Sequence, residues 1–197
     1  MELIVRATFG NGHALRVAIG RQRHGVLKRL LIALHAAFQH AQASSIAWNA
    51  RFDGEPCFPH GELGIFISGG ASIGRNCVIF QQVTIGSNTV AGSRGFGAPT
   101  IGDDCYIGAG AKVIGNVKIG HRVRIAANAV VMKDVASDCV VTHGTQEVRQ
   151  TTRLDNRFYT WHQGGWAYFD SGAFKPVTDP AVLEGLRPGH QPPAERV

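Results

Sequence analysis

No run of about eighteen apolar residues occurs anywhere in the 197-residue chain, so no segment reads as a membrane span. The start carries Glu2 and Arg6 and no apolar stretch leading to a cleavage site, so it does not read as a secretory signal. Cysteine is scarce, with four residues and no CxxC pair, which argues against a disulfide frame and a zinc site. The thiols read as small buried hydrophobes or free thiols, and a cytoplasmic setting follows. Nucleic-acid-binding motifs are also missing. The formal charge of +6 is dispersed along the chain, and a phosphate-bearing small molecule satisfies it as well as a polyanion does.

What the chain has is a count of six. Aliphatic residues stand at Ile67, Ile73, Ile79 and Ile85, then at Ile101, Ile107, Val113, Ile119, Ile125 and Val131. Four residues after each comes a second, mostly small position, among them Ala71, Cys77, Val83, Cys105, Ala111, Val117, Val123, Ala129 and Val135. Gly follows the aliphatic residue at Gly74, Gly86, Gly102, Gly108 and Gly120, where it would permit a turn of positive φ. A helix repeats every 3.6 residues and a strand every two, so neither explains strict sixes. A short strand, a tight turn and the next face of a triangular solenoid do. The fold class expected is therefore an all-β solenoid, a parallel β-helix with an N-terminal helix and an aromatic-rich C-terminal extension.

Along the chain, residues 1–20 carry no clear pattern, and Gly10, Gly12 and Gly20 suggest loops or a short strand. From about Arg21 to Gln42, Leu27, Leu30, Leu31, Leu34, Phe38 and Ala41 form one helical stripe behind Arg21, Arg23, Lys28 and Arg29. Such a helix packs on the solenoid or a neighbouring subunit, or lies on an anionic membrane surface as a peripheral contact. The sixes begin at Ile46, Phe52 and Phe58 and slip register through residues 59–64, where His60 sits. A slipped coil pushes side chains outward and hints at function. A second irregularity, residues 87–99, is a Gly-rich insertion whose large side chains are Arg94 and Phe96. Aromatic residues crowd residues 153–174 and should cap the solenoid or offer a stacking platform, and the last ten residues read as disordered. The units expected are 1–45, 46–141 with the loop 87–99, and 142–197.

PHGELGIFISGGASIG, IFQQVTIG with its loop, and APTIGDDCYIGAGAKVIGNVKIG together resemble the hexapeptide-repeat acyltransferases, in particular their serine acetyltransferase-like branch. The likeness covers about half of the chain, roughly residues 46–141. It implies a left-handed parallel β-helix, a homotrimer, and acetyl-CoA bound in a cleft between neighbouring β-helices of that trimer, without a metal. It also implies that His60, just before the Gly-Ile of the first stretch, is the general base. The chemistry suits imidazole, which titrates near neutrality and removes the proton of a hydroxyl attacking a thioester. By the same likeness Gly86 and Ser87 are candidates to hold the oxyanion. Gly86, Ala109 and Ala127 would leave room for the pantetheine arm, with Arg124, Lys112 and Lys133 against the phosphates. Glu62, Gln82, Arg94 and Phe96 are the residues expected to meet the acceptor.

The chain departs from the serine acetyltransferase pattern at several positions. Ser45 stands where an Asp orients the histidine, Pro59 where an Asp helps bind serine, and Gly97-Ala98 where an Arg-His pair lies in the loop. With these partners gone, and a basic surface and terminal aromatics present, the acceptor expected is a hydroxyl of a saccharide, such as a capsule or exopolysaccharide. The alternative is an amino acid or another small hydroxyl or amine, with Glu62 or Asp53 substituting for the lost carboxylates. A non-catalytic scaffold comes third. A carbonic anhydrase-like metal enzyme is disfavoured because His60, His121 and His143 are too scattered.

Overall fold

The computed structural model describes residues 1–89, 95–142, 148–150, 155–157 and 159–186. Three faces of parallel strands wind into a β-helix. The first face stacks Ser45–Ile46, Phe66–Ile67, Thr84–Gly86, Lys112–Ile114 and Val130–Val131. The second stacks Arg51–Phe52, Ser72–Ile73, Thr100–Ile101 and Lys118–Ile119. The third stacks Val78–Ile79, Tyr106–Ile107, Arg124–Ile125 and Cys139–Val141, to which Val148–Gln150 adds antiparallel. Register is in phase from coil to coil: Ile67 lies on Ile85, Ile73 on Ile101 and Ile79 on Ile107. The selected positions of the six-residue count form one continuous buried core, with Ile65 added from the slipped coil.

The glycines of the repeat serve a purpose other than the one expected. Positive φ falls one residue before the inward small position, at Asn76 (56°), Gln82 (61°), Asp104 (58°), Arg122 (55°), Asn128 (58°) and Asp138 (60°). Gly74, Gly102, Gly108 and Gly120 are not among the residues of positive φ. A Cβ on Gly108 would stand 2.5 Å from the backbone N of Ala127, and one on Gly120 2.4 Å from that of Ser137. Close stacking of coils, not a left-handed turn, excludes side chains there.

The N-terminal segment holds three helices instead of one: α1 (Glu2–Phe9), α2 (Gly12–Arg21) and α3 (Val26–Ala41). Gly10 at φ 84° ends the first. The Asn11 side chain caps the second by accepting from the Ala14 N–H at 2.8 Å. With Gly10, Asn11 and Gly12 at the junction, the segment looks like loop in sequence although each half is helical. Val5, Leu15, Ile19 and Phe38 form its own small core. On α3 the buried residues are His35, Phe38 and Gln39, while Leu27 and Leu30, counted on the packed stripe, stay exposed.

Residues Tyr159–His162, Gly165–Asp170 and Ala173–Pro176 form a three-stranded antiparallel sheet. It lies against the third face, not over the end of the coil. Phe169 packs with Cys57 and Val78, and Asn156 donates to the carbonyls of Asp104 (2.9 Å) and Val123 (3.3 Å). The disorder expected of the last ten residues concerns positions outside the described residues. All four cysteines are buried and unpaired with one another.

Candidate functional site

The slipped coil presents His60 by a simple local device. The Gly61 N–H donates to the Phe58 carbonyl at 3.0 Å, closing a turn with Pro59 and His60 at its two central positions. Pro sets the φ that the first of these needs, and Gly61 at φ 69° lets the chain leave it. A second turn follows, from Glu62 to Ile65 through Gly64 at φ 65°. His60 is exposed at the apex, its ring edge-on to Phe80 at 5.8 Å. Ser45 is exposed on the first face, paired with Phe66, and among the described residues no carboxylate is hydrogen-bonded to the imidazole.

Two residues on, the chain is anchored. Glu62 is 6% exposed, and its carboxylate accepts from Arg16 Nη1 of α2 at 3.0 Å and from Gln39 Nε2 of α3 at 2.6 Å. Gln39 Oε1 in turn accepts from Ser44 Oγ (2.8 Å) and the Ile46 N–H (2.7 Å). The helical layer thus grips the strand segment Pro59–Glu62 and the first strand of the coil at once. Gly12 makes room for it, because a Cβ there would meet Glu62 Oε1 at 2.4 Å. The sequence reading assigned Glu62 to the acceptor; the structure places it in this internal clamp. Nothing in the spacing of Arg16, Gln39 and Glu62 announces their meeting.

Beside the turn is a cleft of about 440 Å³ between the helices, the slipped coil and the C-terminal sheet. Pro59, Gly61 and Glu62 line one side, His13 and Phe38 another, and His162 and Phe174 a third. Burial, with the Arg16 charge, lowers the pKa of His13 to about 4. Of the loop residues, Asn88 and Gly97 bridge its base, Phe96 is exposed, and Arg94 lies outside the described residues. Ala98 abuts Gly70, and Ser87 Oγ donates to Ser68 Oγ at 2.9 Å next to Gly86.

The cationic residues are mostly engaged within the chain. Lys112 Nζ donates to the Gly110 carbonyl (2.7 Å) and the Gln82 carbonyl (3.0 Å), so it meets Gln82 through the backbone. The Arg124 guanidinium donates to the Asp155 carbonyl at 3.0 Å and Asn156 Oδ1 at 3.3 Å. Arg122 pairs with Asp138 at 2.6 Å and Arg157 with Asp155 at 2.7 Å. Lys133 is exposed, as is Ala127, while Ala109 is half-buried. His121 accepts from the Asp103 N–H, and His143 lies outside the described residues.

Residues 98–133 match the family model described as bacterial transferase hexapeptide (six repeats). The chain is 39% identical over 122 residues to serine acetyltransferase of Synechococcus elongatus, covering 61% of this chain and 47% of that protein. It is 45% identical over 78 residues to serine acetyltransferase of Mycobacterium tuberculosis, covering 40% of this chain and 33% of that one. Among solved structures, serine acetyltransferase from Brucella abortus superposes with a TM-score of 0.61 at 26% identity, covering 73% of this chain and 56% of that one. The soybean enzyme complexed with serine gives 0.58 at 29% identity, covering 70% and 54%. The chain therefore spans about half or less of the length of these relatives. The likenesses imply a left-handed coil.

These relatives are serine acetyltransferases, which overturns the saccharide acceptor expected from the sequence. The physical grounds for that expectation also fall away. On the coil and the C-terminal segment, several of the basic side chains thought to attract an anionic glycan are paired with nearby carboxylates and carbonyls, among them Arg75, Lys112, Arg122, Arg124 and Arg157. Three of the aromatics thought to form an open platform are packed, Phe169 against the coil and Tyr159 and Tyr168 around Arg157, while Phe174 stays exposed at the cleft.

Proposed function

We propose that this protein is an acetyl-CoA-dependent O-acetyltransferase of the serine acetyltransferase type, acting on the hydroxyl of an amino acid or a similarly small acceptor. The observation that carries the reading is His60, exposed at the apex of a turn whose other end is anchored by a buried carboxylate. In this reading the imidazole takes the proton of the acceptor hydroxyl as its oxygen attacks the thioester carbonyl. The C–S bond then breaks, and the imidazolium returns the proton to the leaving thiolate, giving an ester and free CoA thiol. Backbone N–H groups at Gly86 and Ser87 stabilise the oxyanion. Gly86, Ala109 and Ala127 leave a track of small side chains for the pantetheine arm. Lys133 is the cation best placed to meet a phosphate, since Lys112 and Arg124 already have partners. Gln82, Phe96 and Arg94 belong to the acceptor side of this proposal, with three chains in the assembly and a cytoplasmic setting.

The test is thiol release from acetyl-CoA with L-serine and other small hydroxyl acceptors. Acceptor-dependent release is expected, falling about 10²–10⁴-fold in His60→Ala with the fold retained. Release at the wild-type rate in His60→Ala would remove the mechanism. A chain that turns over no small hydroxyl would remove the acceptor class.

A further inference from the structure

The helical layer has a surface that the transferase reading leaves unexplained. A helix lying on a globular core normally turns charged and polar residues to water, and one that is apolar all round is covered on both sides. Helix α3 is apolar on both sides. Its inner side carries Phe38 and Leu34 into the small core. Its outer side exposes Val26 (72%), Leu27 (54%) and Leu30 (62%), and after Arg29 the helix holds no charged Lys, Arg, Asp or Glu. Ala33 and Ala36 continue the exposed side. In the same layer Leu3 of α1 is 82% exposed.

Charge selects the occupant. From residue 3 to residue 52 the chain has no Asp or Glu, and its charged residues are Arg6, Arg16, Arg21, Arg23, Lys28, Arg29 and Arg51. Arg16 is tied to Glu62 and Arg51 to Asp53. Arg21, Arg23 and Arg29 are exposed around the start of α3, beside the apolar face. A second copy of this surface would bring cation against cation. An anionic lipid surface accepts both features, since an in-plane helix sinks its apolar side into the acyl boundary while Lys and Arg meet the headgroups. Among the described residues no helix is long and apolar enough to cross a bilayer, so the contact is peripheral.

We propose that the outer face of α3, with the basic residues at its start, docks the protein onto an anionic membrane surface.

Co-sedimentation of the full chain with vesicles tests it. Binding is expected to phosphatidylcholine vesicles containing phosphatidylglycerol, weaker at high salt, and absent with phosphatidylcholine alone. The exposed-site variant Leu27→Gln/Leu30→Gln should bind about tenfold less tightly. Its circular dichroism and its mass in solution should be unchanged. Arg21→Gln/Arg23→Gln/Arg29→Gln should bind about a hundredfold less tightly, as three headgroup contacts are lost. Failure to bind phosphatidylglycerol vesicles overturns the proposal, as does binding that ignores both variants. A fall in solution mass on Leu27→Gln/Leu30→Gln also overturns it, by assigning the face to a second copy.

Discussion

Gly108 and Gln82 show how differently the repeat constrains its residues. Gly108 has ordinary backbone angles but no room, since a side-chain carbon would press on the backbone of Ala127 in the next coil. Gln82 has room but holds φ at 61°, where an L-residue with a Cβ is strained. Gly108→Ala should therefore destabilise the protein by about 1–3 kcal/mol through overpacking. Gln82→Gly should stay within about 1 kcal/mol of the parent, since relief of strain offsets the entropy of the more flexible chain. Chemical denaturation of both variants decides the matter. An unaffected Gly108→Ala would mean that the coils are not stacked as tightly as described.

At the level of the elements, the grip of α2 and α3 on the strand segment Pro59–Glu62 couples the helical layer to the His60 turn. Arg16 is 4% exposed and Glu62 6%, so removing one partner strands a buried charge. Arg16→Met should cost about 3–5 kcal/mol in unfolding free energy, whereas Arg16→Met/Glu62→Leu should recover most of it. Equal losses in the single and double variants would show that the pair does not act as described. Acid should act on the same layer. Burial first, and the Arg16 charge second, lower the pKa of both His13 and His35 from 6.5 to about 4. The unfolded chain takes up these protons near pH 6.5 and the folded chain only near pH 4. Stability is complete above about 6.5 and declines as pH falls to about 4. The melting temperature should drop by several degrees across that window. The drop should be smaller in His13→Phe/His35→Phe, a variant without either titrating group. An identical pH dependence in that variant would exclude these histidines as the cause.

Over the whole molecule, the C-terminal sheet is held to the third face by a buried contact at Phe169 and by the segment just before it. Asn156, 6% exposed, satisfies two carbonyls of the coil, and Arg124 secures the segment beside it. Asp155 is pulled up by burial, but its hydrogen bonds from Arg157 and Tyr159 outweigh that and hold its pKa at about 2. These bonds lie within the C-terminal segment and persist across the pH window in which the histidines titrate. Asn156→Leu should leave both carbonyls unpaired, costing about 1–3 kcal/mol. It should expose the C-terminal sheet to limited proteolysis before the coil is cut. Cleavage of coil and sheet at the same rate would show that the sheet does not detach separately.

The coil was legible in the sequence because a six-residue period stacks identical positions, so a one-dimensional count already states which side chains meet. The outward placement of His60 was legible for a related reason: it sits where the period slips, and a slipped coil turns side chains outward. The helical layer was not, because Gly10 and Gly12 interrupt its pattern and hide two short helices. Neither was the role of Glu62, whose partners lie 46 and 23 residues away on elements with no fixed register to the coil. The saccharide expectation failed similarly, since exposed charge and free aromatics cannot be distinguished in sequence from paired and packed ones. Periodic local contacts can be counted along the chain. Arg16 on Glu62 and Asn156 on the coil depend on how separate elements dock, and docking is settled by burial and charge pairing in three dimensions.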